Sequence, residues 1–221
     1  MLRAIRWLSL SLLGVVIIAW GVLWLGVHRP AGPAGRLVAF LTGQTPRAAA
    51  QGVGVGGIAL GGPFTLVDSQ GQTVTDRSFR GRWMLVYFGY TSCPDVCPTE
   101  LQTIVAALDR IGPAAAGRIA PLFVTVDPGR DTPAVLGRYT ALFGPQLIGL
   151  TGSAAQIGGV EHAFRVYHAD VTQDGGNNYL VNHSSFMYLV GPQGRFDALY
   201  PPGLTATALA DRLRRQMDTN G

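Results

Sequence analysis

Two uninterrupted apolar runs, "RWMLVYFGY" at residues 82–90 and "APLFVTVD" at 120–127, constrain the fold of this chain more than any other feature. Each has the length of a strand, and neither alternates apolar with polar residues, so each needs cover on both faces. Helices on both sides of a sheet provide that cover. The segments around the two runs supply them. Leu101, Ile104, Val105, Leu108 and Ile111 keep helical spacing, which Gly112-Pro113 closes. "DTPAVLGRYTALF" reads as a second helix, with Thr132 as cap and Pro133 at its first position. "LIGL" opens a third strand, and Ser153 to Gln156 has capping-box spacing ahead of Ile157, Val160 and Phe164.

Ahead of the first run, "FTLVDSQGQTVTD" has the pattern of a small hairpin around Ser69, Gln70 and Gly71. Late in the chain, "RVYHADV" and "SSFMYLV" are strand-like and separated by the polar "TQDGGNN". "GPQG" turns the second of them into "RFDALY", and "TATALADRLRRQM" follows as an amphipathic helix. Strands alternating with helices, then a hairpin and a final helix, predict an α/β fold: a thioredoxin-like sandwich with a mixed central sheet.

The amino-terminal part reads differently. From Trp7 to Val27 there is no charged residue, and at about 1.5 Å per residue that stretch crosses a hydrocarbon core of about 30 Å. Arg3 and Arg6 precede it and Trp7 and Trp24 stand near the interfaces, which predicts a single-pass anchor whose start stays cytoplasmic. A cleaved signal peptide would carry a shorter apolar region and a small-x-small site close behind, where this chain has "HRPAGPAG". The expected organisation is a cytoplasmic start and transmembrane helix over 1–28, a flexible Gly/Ala/Pro-rich tether over 29–61 and a folded domain over 62–221. The domain is thereby expected on the periplasmic, extracytoplasmic side of the inner membrane. All 17 basic residues are arginines, thinly spread for a net charge of +4, with no stripe of the kind that binds nucleic acid.

Only two cysteines occur, Cys93 and Cys97, in "GYTSCPDVCPTEL" at the predicted junction of the first buried strand and its helix. Thiolates four residues apart on a tight loop can share one soft ion. A helix amino terminus is expected to favour the thiolate and lower the cysteine pKa, which serves metal capture and disulfide exchange alike. By spacing alone the pair is compatible with a structural disulfide, a redox couple or two arms of a metal site. A metal site needs further ligands, and imidazole is the common partner of thiolate for copper or zinc. Of the four histidines, His28 abuts the anchor, His162 lies in a helical pattern beside Glu161, His168 sits on a strand-like run and His183 stands at a strand entrance.

Taken together, "GGPFTLVD", "GRWMLVYFGYTSCPDVCPTEL", "VTVDPGRDTP", "IGLTG" and "YLVNHSSFMYLV" resemble the Sco/SenC copper chaperones, membrane-tethered thioredoxin-fold proteins of cytochrome c oxidase assembly. The resemblance covers nearly all of residues 61–203. It implies a copper site made by Cys93, Cys97 and His183, holding Cu(I) or Cu(II) for delivery to the binuclear copper centre of the oxidase. It also implies partners: the copper-bearing oxidase subunit, with another copper chaperone or a thiol reductant upstream. On this view the protein is a metallochaperone rather than a turnover enzyme. Where the family commonly has aspartates before the tyrosine and the histidine, this chain has Asn178 and Asn182, which cannot supply a carboxylate's charge to an imidazole or a partner.

Other readings use the same residues. A thiol-disulfide oxidoreductase that keeps the oxidase copper-site cysteines reduced needs both sulfurs and no histidine. A peroxidase would suit the fold, but the chain lacks the proline- and threonine-preceded cysteine pattern of that class. Zinc accepts the same ligand types. Asp127, Arg130 and Asp131 read as an ion-pair and capping network, Asp95 as an exposed loop carboxylate, and Tyr90 and Met187 as packing residues.

Overall fold

A computed structural model describes residues 60–172, 179–183 and 185–220, within the unit Ala50–Gly221. The predicted anchor over 1–28 and most of the tether over 29–61 lie outside the described residues. At the end of the tether Leu60 is buried and the Gly61 amide donates to the Ala163 carbonyl at 2.9 Å, so the folded body takes up the chain there. Among the described residues no helix is long and apolar enough to cross a membrane.

The first hairpin pairs β1 (Thr65–Asp68) with β2 (Thr73–Thr75) around the expected turn. The Asp68 carboxylate accepts the Gln70 and Gln72 amides at 2.9 and 2.8 Å, and Gly71 takes the positive φ, 78°, that the turn requires. After a turn of 3-10 helix (Asp76–Phe79) come β3 (Trp83–Gly89), the long helix α1 (Val96–Ile111) and the short α2 (Pro113–Ala116). Then follow β4 (Ile119–Thr125), α3 (Pro133–Ala141), β5 (Ile148–Thr151) and α4 (Ala154–Phe164). Thr132 caps α3, and Ser153 with Gln156 forms the predicted capping box on α4. The chain closes with the hairpin β6 (His168–Thr172) and β7 (Tyr179–His183), then β8 (Met187–Val190), β9 (Phe196–Tyr200) and α5 (Ala206–Asn220).

Seven strands form one mixed sheet in the order β2-β1-β5-β4-β3-β8-β9. Its middle is parallel, β3 with β4 and β4 with β5, and β8 and β9 join antiparallel on one side. The order β4-β3-β8-β9, with α1 between the parallel pair and α5 after the last strand, is the thioredoxin-like arrangement expected from the sequence. Every residue of β3 and of β4 is buried, as two-sided cover requires. Because side chains alternate along a strand, Tyr87 and Phe88 leave β3 on opposite faces. Tyr87 stacks at 6.4 Å on Phe123. Phe88 joins Phe164 of α4 and Tyr188 of β8, with ring centroids 5.4 to 5.7 Å apart.

The structure adds a strand ahead of the predicted strand "SSFMYLV". "YLVNHSSFMYLV" holds both β7, which among the described residues pairs with β6 in a separate two-stranded sheet, and β8, which enters the main sheet beside β3. Its apolar pattern alone does not reveal which half finds which partner.

One polar group in the core ties α1 to the loop before α5. The Glu100 Oε1 atom accepts the Gly203 amide at 2.8 Å, while the buried Oε2 has no hydrogen-bond partner. Burial pushes its carboxyl above the ordinary value of 4.5. The folded state therefore favours the protonated form, and the stability this contributes is complete below pH 4.5 and lost as pH rises through the elevated folded value. Glu100→Gln keeps the acceptor and removes the titration. Calorimetry from pH 4 to 8 is expected to show equal melting temperatures at the acid end and a variant more stable by about 2 °C near pH 7; parallel curves would exclude this role.

Candidate metal centre

The candidate centre lies where β3 ends. Gly89 stops the strand, Tyr90 to Asp95 make the loop, and α1 begins at Val96. Cys93 is partly exposed in the loop, whereas Cys97, in the first turn of α1, is fully buried. The Cys97 amide, one of the amino-terminal N–H groups that a helix leaves without an internal partner, points to the Cys93 Sγ atom at 3.4 Å. The Cys93 amide in turn donates to the Tyr90 carbonyl at 3.2 Å, which curls the loop back on itself.

Gly89 is small because the buried sulfur passes over it. A Cβ atom there would sit 2.9 Å from the Cys97 Sγ atom and 2.8 Å from the Phe123 ring. The available signal was a glycine closing an apolar strand, which often marks a close approach to the backbone.

A buried carboxylate holds the loop from the opposite side. Asp131, fully buried, accepts the Thr91 amide at 3.0 Å, the Thr91 hydroxyl at 2.5 Å and the Thr125 hydroxyl at 2.6 Å. The Thr125 oxygen also accepts the Asp127 amide at 2.9 Å. Arg130 pairs with Asp127, and its guanidinium lies 5.8 Å from the centre of the Tyr90 ring. The predicted network thus divides: Asp127 and Arg130 form the ion pair, and Asp131 clamps the cysteine loop to the end of β4. Tyr90 and Met187 are buried, as expected of packing residues, and Asp95 is exposed.

The electrostatics correct one expectation. The Cys97 thiol is pushed well above its ordinary value, first by its hydrogen bond to Cys93 and then by burial. The helix amino terminus does not prevail at that sulfur. The Tyr87 hydroxyl lies beside it and is also pushed up, by burial and by the neighbouring Cys97. Two adjacent sulfurs, one of them buried, resist carrying two negative charges unless a cation joins them.

Among the described residues no cluster of three or more His, Cys, Asp or Glu side chains gathers about one point. His183 enters through its backbone position. It ends β7, four residues before Met187, and Met187 pairs with Tyr87 of β3. Four residues span at most about 14 Å, so the chain keeps His183 at the end of the sheet where the cysteines lie. His162 stands in α4, and His28 lies outside the described residues. Sequence reasoning missed Glu100 and the closeness of Tyr87 to Cys97, because both arise only from packing.

The family model described as SCO1/SenC matches residues 55–218. Protein SCO2 homolog, mitochondrial, of Bos taurus is 42% identical over 157 residues, covering 71% of this chain and 59% of that protein. The structure of Bradyrhizobium japonicum ScoI with copper bound is 40% identical with a TM-score of 0.66, over 72% of this chain and 99% of that one. BsSco, in which a disulfide switch was identified and which is a member of the Sco family of cytochrome c oxidase assembly proteins, is 25% identical with a TM-score of 0.55. It is covered over 71% of this chain and 92% of its own. The chain spans about half to three fifths of the length of the curated relatives it matches, 59%, 50% and 48% for three of them.

The two thiols are expected to differ in reactivity. In the metal-free, reduced protein, iodoacetamide should label Cys93 about tenfold or more faster than Cys97 at pH 7.5, because only the thiolate reacts and only Cys93 is reachable. Mass spectrometry of timed digests reads the ratio, and equal rates would contradict the buried placement of Cys97.

Proposed function

This chain belongs to the SCO1/SenC family, and from that premise we propose that it carries copper for the assembly of cytochrome c oxidase. Cys93, Cys97 and His183 bind the ion, as Cu(I) or Cu(II), and the protein passes it to the binuclear copper centre of the oxidase's copper-bearing subunit. The observation that carries this reading is the sulfur pair at the start of α1, one thiol partly exposed and one buried with a raised pKa. Such a pair gains most from a soft cation that neutralises both sulfurs.

The donor set fits copper as cargo. Two sulfurs and one imidazole satisfy Cu(I), which tolerates low coordination, and leave room for a further donor to Cu(II). A partner can approach, because Cys93 is partly exposed and Val96, next to Cys97 in the chain, and Phe186, three residues after His183, are exposed. Copper-bound relatives such as the Bradyrhizobium protein support the choice of metal.

The apolar stretch from Trp7 to Val27 tethers the protein to the inner membrane with its folded part outside the cytoplasm. A copper donor held this way meets a membrane-bound acceptor at short range, and the Gly/Ala/Pro-rich segment sets its reach.

A second reading has its own support. The contact between Cys97 and Cys93, together with the disulfide switch of BsSco, suits a thiol-disulfide exchange that reduces the oxidase subunit's cysteines before they receive copper.

Titration of the full-length protein in detergent separates the two. One Cu(I) per chain is expected to resist a competing chelator; Cys93→Ser and Cys97→Ser should each lose that retention, and His183→Ala should weaken Cu(II) binding about tenfold or more. Unchanged binding in His183→Ala would remove it from the site. Rapid disulfide exchange with a dithiol peptide, coupled to absent copper retention, would favour the reductase. Alkaline carbonate extraction should leave the full chain in the membrane fraction and release a chain lacking residues 1–28; release of both would refute the anchor.

A further inference from the structure

Tyr87 and Cys97 meet over Gly89. A Cβ atom built on that glycine would lie 2.9 Å from the Cys97 Sγ atom and 3.3 Å from Tyr87 Cε1, the ring carbon next to the one that bears the hydroxyl. Ring edge and sulfur thus crowd one point above the backbone, and both residues are fully buried. Besides its contact with Cys93, the Cys97 sulfur accepts two hydrogen bonds, from the Tyr90 backbone amide and from the Tyr87 hydroxyl.

Neighbours fix the ring that carries this donor. Tyr87 stands in register with Phe123 of β4 on one side and Met187 of β8 on the other, and it stacks on Phe123 at 6.4 Å with the planes 20° apart. A side chain held between two strands in a close-packed core keeps one rotamer. Cys97 is held as firmly by the first turn of α1. Glu100 also lies near the hydroxyl and acts on it through its charge, while its own Oε1 atom is engaged by the Gly203 amide. The hydroxyl is therefore preorganised toward the sulfur.

Resting on the copper reading above, we infer that Tyr87 is a positioning residue that biases the valence of the cargo: its hydroxyl donates to the copper-bound Cys97 sulfur and shifts the relative affinity toward Cu(I). A hydrogen bond donated to a thiolate withdraws electron density from the sulfur. Cu(II), with the higher charge, draws more on that density than Cu(I) does, so the donor weakens Cu(II) binding more. Hydrogen bonding around a cysteine sulfur tunes the potential of bound copper in this way. Tyr87 acts through Cys97 and touches no metal itself.

The test compares the wild type, Tyr87→Phe and Tyr139→Phe as full-length proteins in detergent, titrated separately with Cu(I) and Cu(II) against competing chelators under argon. Tyr139 also packs on Phe123, at 5.5 Å, so its variant removes a hydroxyl from the same aromatic stack without removing a donor to the sulfur. In Tyr87→Phe the ratio of Cu(II) to Cu(I) affinity should rise about tenfold, a fall of about 59 mV in the potential of the bound ion. The sulfur-to-Cu(II) charge-transfer band should move to longer wavelength. Tyr139→Phe should change neither. An unchanged ratio and band in Tyr87→Phe, with copper still retained, overturn the inference and leave the copper reading standing. Equal changes in both variants also overturn it, because loosened packing would then explain them. Failure of the wild type to retain copper overturns both. In the wild type loaded with Cu(I), NMR should show a slowly exchanging Tyr87 hydroxyl proton in contact with the Cys97 β-protons. A hydroxyl proton exchanging freely with solvent overturns the inference whether or not a variant folds.

Discussion

A single buried carboxylate sets the position of everything at the cysteine end of this protein. Asp131 accepts three hydrogen bonds, from the amide and hydroxyl of Thr91 and the hydroxyl of Thr125. Those donors belong to the loop that leaves β3 and to the last residue of β4, two parallel strands paired along their whole length. The carboxylate therefore fastens the loop to the sheet's most rigid region, and the loop in turn presents Cys93 to the first turn of α1. Hydrogen bonds to a charged group contribute about 1.5–3 kcal/mol each, and leaving such donors buried without a partner costs a comparable amount. A loop held this firmly keeps two sulfurs in register without a bond between them.

The sulfurs are placed to want a cation. One is reachable from solvent; the other is buried over Gly89, with its thiol proton retained by its neighbour and by burial. Metal entry replaces both protons and cancels the repulsion that ionisation alone would create. The same asymmetry suits disulfide chemistry, in which an accessible sulfur attacks and a sheltered one resolves. Copper carriage and thiol exchange would thus draw on one arrangement of sulfurs.

The β6–β7 hairpin forms its own two-stranded sheet, and its entry and exit connect to the aromatic cluster of Phe88, Phe164 and Tyr188 and to the start of β8. Val96, next to Cys97, and Phe186, next to Met187 at the start of β8, are exposed.

Much of the fold was legible before any coordinates, because its determinants are local. The apolar runs that became β3 and β4 declare two-sided burial, and Thr132, Ser153 and Gln156 mark helix starts through hydrogen bonds to backbone three residues away. Cys93, Cys97 and His183 stand together as a candidate set only through the resemblance, since spacing alone leaves the cysteine pair open to a disulfide. What the chain could not declare by itself depends on groups brought together from afar. "YLVNHSSFMYLV" divides between two sheets, Asp131 serves Thr91 forty residues away, the Cys97 sulfur crosses Gly89 and keeps its proton, and β6 stands in register with β7. Strand partners, burial and the distances between charges are properties of the packed chain, and only tertiary structure decides them.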